Sequence, residues 1–205
     1  MTPLLLIGGG GHCRSCIDVI EMAGKFTIAG VVQPTAMAGH LLGYATLGSD
    51  DDLPDLLHRV PNALITVGQI KSADPRIRLF NLLQQLGANF PVIVSPLAHI
   101  SRHAEVTAGT IAMHGALINA GARIGANVIV NSQALIEHDA EIESHCHIST
   151  GARVNGGVRI GAGSFIGSGA ILREGIQVGP RAIIGAGQVV LRDVPAGTTV
   201  CASRG

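Results

Sequence analysis

The chain has no tryptophan, one tyrosine (Tyr44) and four phenylalanines in 205 residues. With 47% hydrophobic residues and 28 glycines beside so few rings, a core of small and branched aliphatics is expected. Charge is sparse as well: 14 Lys and Arg balance 14 Asp and Glu, and no basic run occurs, which argues against nucleic acid as the main partner. The apolar run near the start, Leu4 to Ile7, is far too short to cross a membrane. No signal-peptide pattern is present, so Cys13, Cys16, Cys146 and Cys201 read as thiols of a cytoplasmic protein rather than as a disulfide framework. The length allows one large or two modest domains.

What is abundant is a beat of six. An aliphatic residue returns at every sixth position from Ile100 through Ile118, Ile136, Val154 and Leu172 to Val190, with only Ala112 short of Val, Leu or Ile in bulk. Small residues stand two positions earlier (Ala116, Ala134, Cys146, Ala152, Ala170), and Gly or Asn often one position later (Asn119, Gly125, Asn131, Gly161, Gly167). Six matches neither the 3.6 of a helix nor the 2 of a flat strand. It fits a short strand and a corner, repeated, with one bulky side chain inward and left-handed backbone supplied at the corner by Gly or Asn. Three hexads close one triangular coil, so residues eighteen apart stack. The expected fold is a left-handed parallel β-helix; its hand follows from likeness to other hexapeptide arrays, since parallel crossovers in general turn the other way.

Ahead of the array, Leu4 to Ile7 reads as a buried strand running into Gly8-Gly9-Gly10-Gly11-His12 and an apolar helix to Ala23, with Gly24 as its cap. Strand, glycine turn and helix begin a Rossmann-like α/β unit whose backbone N–H groups suit a phosphate. Cys13 stands where a dinucleotide fingerprint needs its third glycine, and no acid follows the second strand, which ends at Gln33-Pro34. Further elements are expected at Asp50–Arg59 (helix), Ala63–Val67 (strand, ending at Gly68-Gln69), Pro75–Leu86 (helix) and Phe90–Val94 (a fourth strand of the same unit). Domains are therefore expected at 1–96 and 97–205, the second ending in a short tail after Gly197.

Three of the nine histidines cluster in Glu137-His138-Asp139 and His145-Cys146-His147. In register, His138 points outward near a corner with Ala120 one coil below and Gly156-Gly157 one coil above, which leaves a groove beside the ring. An imidazole between two carboxylates has what a general base needs; a solvated surface histidine with acidic neighbours is the other reading, and the sequence alone leaves both standing.

Ile136-Glu137-His138-Asp139, His147, Gly151-Ala152-Arg153 and Gly156 to Gly161 resemble the bacterial sialic acid O-acetyltransferase and nucleotide-aminosugar N-acetyltransferase family, the NeuD/PglD type. Gly8 to His12 and Gly68-Gln69 match it as well, so the resemblance spans essentially the whole chain. It implies a nucleotide-sugar-binding α/β domain, a homotrimer, and acetyl-CoA held between adjacent β-helices. Carried over by position, His138 is the catalytic base and Asp139 the acid that raises its basicity. His147, Gly156, Gly167, Ser168, Gly185 and Ala186 fall at acetyl-CoA contacts. Gly10, Gly11, His12, Gln33, Gly68 and Gln69 fall at the acceptor. Two departures stand out: Cys13 where the family often has Gly, and Gln33-Pro34 where UDP-sugar enzymes have an acidic pair.

The expected activity is acetyl transfer from acetyl-CoA to the amine of a nucleotide-linked aminosugar, with backbone N–H groups near Gly156-Gly157 receiving the oxyanion. O-acetylation of a sialic-acid-like sugar or another hydroxyl acceptor is the alternative, and a non-catalytic trimeric scaffold that binds a sugar nucleotide is the alternative of another class. Cys146 as an acyl-carrying nucleophile is disfavoured because it occupies a small inward slot. His145-x-His147 as a zinc site and Cys13-x-x-Cys16 as a redox or zinc pair are weaker readings, and no metal is expected.

Overall fold

The structure, a computed structural model, describes residues 1–34 and 39–201. It opens with β1 (Thr2–Ile7), α1 (Gly11–Ala23) and β2 (Phe26–Val32), followed by the hairpin β3 (His40–Leu41) and β4 (Tyr44–Gly48). A 3-10 turn at Asp50–Asp52 leads into α2 (Leu53–Arg59), then β5 (Ala63–Ile65), α3 (Asp74–Gln85) and β6 (Ile93–Val94). The first sheet has the order β3-β4-β2-β1-β5 and is parallel except at β3–β4. Leu4 to Ile7 are buried on both sides of it, as the unbroken apolar run demands. Gly24 caps α1 in the left-handed conformation, φ 62.

From there a triangular prism of two-residue parallel strands rises, the strands from Ile93 to Val190 pairing with those eighteen residues away. Its three faces are distinguished by the first, outward residue of each strand. The covered face carries Ile111, Ile129, His147 and Phe165. The apolar face carries Leu117, Leu135, Arg153, Ile171 and Val189. The charged face carries Glu105, Arg123, Glu141, Arg159 and Gln177, a ladder of alternating sign in which Glu141 pairs with both arginines. The second residue of each strand and the small residue two positions before it fill a continuous core.

Two elements depart from expectation. Ile93–Val94 does not join the first sheet: it pairs with Ile111–Ala112 and starts the prism, because Val94 stands six before Ile100 and packs into the same core. At the far end the array continues past Gly197, where Thr199–Val200 pair with Ile183–Ile184.

The corners also work differently from the sequence reading. Left-handed backbone occurs three residues after the inward aliphatic, at glycines such as Gly121, Gly151 and Gly157, and at Asn127, Gln133, Asp139, His145 and Arg181. The glycines one residue after it have ordinary φ. They are small because the next coil crosses there: a Cβ on Gly125 would lie 2.5 Å from the Ser144 nitrogen, and one on Gly167 2.6 Å from that of Ala186.

The α/β unit sits on the covered face. Ile111, Met113 and Ile129 share one buried cluster with Leu4, Leu6, Cys16, Ile17 and Ile20, so the two parts are continuous in packing. A hydrogen-bonded chain from Asp18 through His114 to Ser95 pins the same junction at its edge (2.8 and 2.7 Å).

Candidate active site

The corner between the apolar and charged faces carries His138, exposed as its register requires. Asp139, left-handed at φ 58, turns its carboxylate back so that Oδ2 accepts from His138 Nδ1 at 2.9 Å. Only few residue types tolerate that backbone, and a short polar side chain is among them. Glu137 is occupied elsewhere: its Oε2 accepts from Asn119 Nδ2 (2.8 Å) and from the His138 N–H (3.3 Å). Asp139 is therefore the acid that orients the ring. The hydrogen bond to Asp139 holds the His138 pKa above its ordinary value of 6.5, with the charges of Asp139 and Glu137 adding to it. With the proton on Nδ1, Nε2 presents its lone pair to the groove.

Gly156, one coil up, closes that groove on one side. A Cβ there would sit 2.7 Å from His138 Nε2, so glycine is what gives the ring its place. The oxyanion expectation narrows at this corner. The Gly157 N–H is spent on the His138 carbonyl (3.0 Å), whereas the Gly156 N–H has no partner among the described residues.

The second group of expected residues lines a cavity of about 680 Å³ where the ends of β1, β2 and β5 meet the covered face. Gly10, Gly11, His12, Gly68, Gln69 and His147 all border it. This is the crevice beyond the carboxyl ends of parallel strands, where α/β sheets bind ligands. A Cβ on Gly10 or Gly11 would meet nothing within 4 Å, so the glycine turn opens into free space. Gln33 lies behind that turn, buried and donating through Nε2 to Thr46 Oγ1 (2.7 Å), and Pro34 takes the bordering position.

His147 belongs to this cavity rather than to the His138 corner, although nine residues separate the two in sequence. Its Nδ1–H donates to the Gln69 carbonyl (2.7 Å), and Nε2 accepts from Asn131 Nδ2 (3.0 Å), which fixes one neutral tautomer. Burial lowers its pKa to about 4, helped by the Arg76 charge, while the Gln69 carbonyl works the other way. His12, 6.2 Å away ring to ring, is lowered to about 3 by the same desolvation, then by Arg76 and His147. Both rings are neutral at physiological pH.

Asn131, Ser132 and Thr150 border the cavity too and were not singled out by sequence. Their signal was available: Asn131-Ser132, Ser149-Thr150, Gly167-Ser168 and Gly185-Ala186 recur at eighteen, one polar column along the corner between covered and apolar faces. The upper members are the expected cofactor contacts, and Ser149 and Ser168 are joined hydroxyl to hydroxyl at 3.0 Å.

The remaining candidates resolve plainly. Cys146 is buried in its inward slot, held at a pKa of about 12 by desolvation, with its thiol against the Gly161 carbonyl (3.2 Å), so it is no nucleophile. Cys13 and Cys16 are buried free thiols in α1. The nitrogens of His147 are both engaged, His145 Nδ1 accepts from Asn127 (3.0 Å), and no cluster of three or more potential metal ligands occurs among the described residues. That includes His99 and His103, which stand four apart in the array.

Two family models match: the PglD N-terminal domain over residues 3–81, and the bacterial transferase hexapeptide (six repeats) over residues 157–191. No curated protein sequence matches. Among solved structures, the acetyltransferase domain of PglB from Neisseria gonorrhoeae is 30% identical with a TM-score of 0.91, over 97% of this chain and 96% of that one. The same domain in complex with acetyl coenzyme A aligns with a TM-score of 0.90 at 30% identity, over 96% and 94%. A mutant of perosamine N-acetyltransferase from Caulobacter crescentus, in complex with CoA and GDP-perosamine, is 28% identical with a TM-score of 0.91, over 97% and 93%.

Proposed function

Because the chain belongs to the NeuD/PglD-type family of hexapeptide-repeat sugar acetyltransferases, we propose that it moves acetyl from acetyl-CoA to the amine of a nucleotide-activated aminosugar. The observation that carries this reading is the His138–Asp139 pair: a tautomer held at 2.9 Å, its free Nε2 facing a groove kept open by Gly156. The acceptor amine attacks the thioester carbonyl while His138 Nε2 takes its proton. The Gly156 N–H donates to the developing oxyanion. Collapse expels the CoA thiolate, and the imidazolium returns the proton to sulfur.

The working unit in this reading is a homotrimer in the cytoplasm. His138 and the polar column that ends in the 680 Å³ cavity lie on opposite edges of one face of the prism. That face is the one carrying Leu117, Leu135, Ile171 and Val189 outward. Turned toward a three-fold axis, it buries this ladder and brings the His138 edge of one subunit against the cavity edge of the next. Residues 1–96 then supply the acceptor pocket and residues 97–205 the base and thioester track. Gly10, Gly11, His12, Gly68 and Gln69 border the acceptor. His147 stands with them at the cavity, and Gly167, Ser168, Gly185 and Ala186 follow the cofactor.

Acetyl-CoA offered with UDP-, GDP-, dTDP- and CMP-linked aminosugars, and with the matching hydroxyl sugars, tests the assignment. Transfer to at least one amine acceptor is expected; transfer to hydroxyl sugars only would replace it with O-acetylation, and no transfer at all would leave a scaffold.

The pH profile follows from the His138 geometry. The base must be neutral to accept a proton, so kcat/KM falls as pH drops through its pKa, and that pKa lies above 6.5 because Asp139 favours the imidazolium. The acidic limb should therefore stand above pH 6.5 in the wild type and move down in Asp139→Asn, with a lower plateau. His147, at about 4, and His12, at about 3, contribute nothing to a limb in that range. An unmoved limb in Asp139→Asn would remove Asp139 from its role.

A further inference from the structure

Arg76 heads the fully buried side chains by size, and none of the described ion pairs includes it. Among the described residues its hydrogen-bond acceptors are all neutral. Nη1 donates to the carbonyls of Ile65 (3.2 Å) and Val67 (2.7 Å), and Nη2 to the carbonyl (2.9 Å) and Oδ1 (2.5 Å) of Asn127. Nε has no acceptor. Desolvation lowers its pKa to about 10, which still leaves it charged at neutral pH. A guanidinium buried without a carboxylate is unfavourable for stability, and an apolar side chain of similar volume would pack there more cheaply.

What the side chain joins explains why it is there. Ile65 ends β5, Val67 follows two residues on, and the chain continues directly into Gly68 and Gln69. The Gln69 carbonyl sets the tautomer of His147, and its Nε2 donates to the carbonyls of Gly163 (3.1 Å) and Ser164 (3.3 Å) on the prism. Asn127 stands on a left-handed corner of the prism, φ 55, and its Nδ2 holds His145. One planar fork, with donors fixed in direction, thus spans the α/β unit and the prism directly behind the cavity wall.

We propose that Arg76 is a positioning residue for acetyl transfer, holding the Val67–Gln69 wall against the prism so that His147 and the glycine turn keep the spacing the acceptor needs. The proposal rests on the acetyltransferase reading for its kinetic readout, but not for its spectroscopic one. Arg76 itself does not border the cavity, so its effect passes through Gln69 and His147.

The test uses Arg76→Met and Arg76→Lys in the full chain, followed by melting temperature, assembly mass, KM for both substrates, and the ¹⁵N signals of the His147 ring. In Arg76→Met the acceptor KM should rise about tenfold or more, with the acetyl-CoA KM within about twofold of wild type and the mass unchanged. The His147 Nδ1–H tautomer signature should give way to exchange between tautomers. Arg76→Lys, which keeps the charge but cannot serve both walls at once, should recover part of the acceptor KM. A variant that melts lower yet keeps the acceptor KM and the His147 signature would make Arg76 a plain structural bolt and overturn the proposal. Should Arg76→Met fail to fold, the same readouts on Arg76→Lys decide. If the wild type acetylates no sugar, the acetyl-transfer reading fails, and the His147 signature alone judges Arg76.

Discussion

Replacing His138 with alanine should lower kcat by about 10²–10⁴ while leaving the fold, the assembly mass and acetyl-CoA binding unchanged. The expectation separates cleanly from a stability effect because the side chain is exposed and packs into no core. Its ring touches Asp139 through Nδ1 and lies beside Gly156, and neither contact supports a neighbouring coil. Residual turnover should be independent of pH across the range where the wild type falls off, because the group that titrates has gone. Equal kcat values for His138→Ala and wild type would end the general-base mechanism. A loss confined to acetyl-CoA affinity would instead make His138 a binding residue.

The second large effect comes from mixing subunits. His138→Ala removes the base, and Gly10→Phe should fill the acceptor cavity without backbone strain, since Gly10 has φ −74 and open space where a Cβ would stand. Each variant alone should be nearly inactive. Co-expressed, the two should form mixed trimers in which about one quarter of the sites combine an intact base from one subunit with an intact cavity from its neighbour. Activity restored to that order identifies a site shared across the boundary. If base and cavity served the same reaction within one chain, every site in the mixture would stay defective, and no activity would return. The physical ground is the placement of the two groups on opposite edges of the apolar face.

Much of this architecture could be read residue by residue. The inward positions from Ile118 to Ile184 are buried as the beat of six requires, and the small residues beside them, Cys146 included, fill the inner slots. The outward placement of His138 and the small residues above and below it follow from adding and subtracting eighteen. The corners are less legible. Glycine after the inward aliphatic suggests a left-handed residue, whereas the approach of the next coil excludes its side chain, and the left-handed residue comes two later. Ile93–Val94 looked like a strand of the first sheet because its composition suits either partner. Extending the beat of six back from Ile100 to Val94 is the signal that assigns it to the prism.

The choice between Glu137 and Asp139 illustrates the rest. Both flank His138, and only the left-handed turn at Asp139 and the prior engagement of Glu137 by Asn119 decide which carboxylate reaches the ring. His147 likewise sits nine residues from His138, half a coil around the prism, in a cavity whose other wall comes from Gly8 to His12 and Gly68-Gln69. The buried fork of Arg76 has no sequence signature, since most of its acceptors are backbone carbonyls, which every residue carries, and Asn127 lies 51 residues away. Sequence alone determined the coil, its period and which side chains point inward, because stacking at a fixed interval is a local rule repeated. Tertiary structure decided which outward groups meet, because that depends on how the α/β unit lies across one face, and such contacts obey no period.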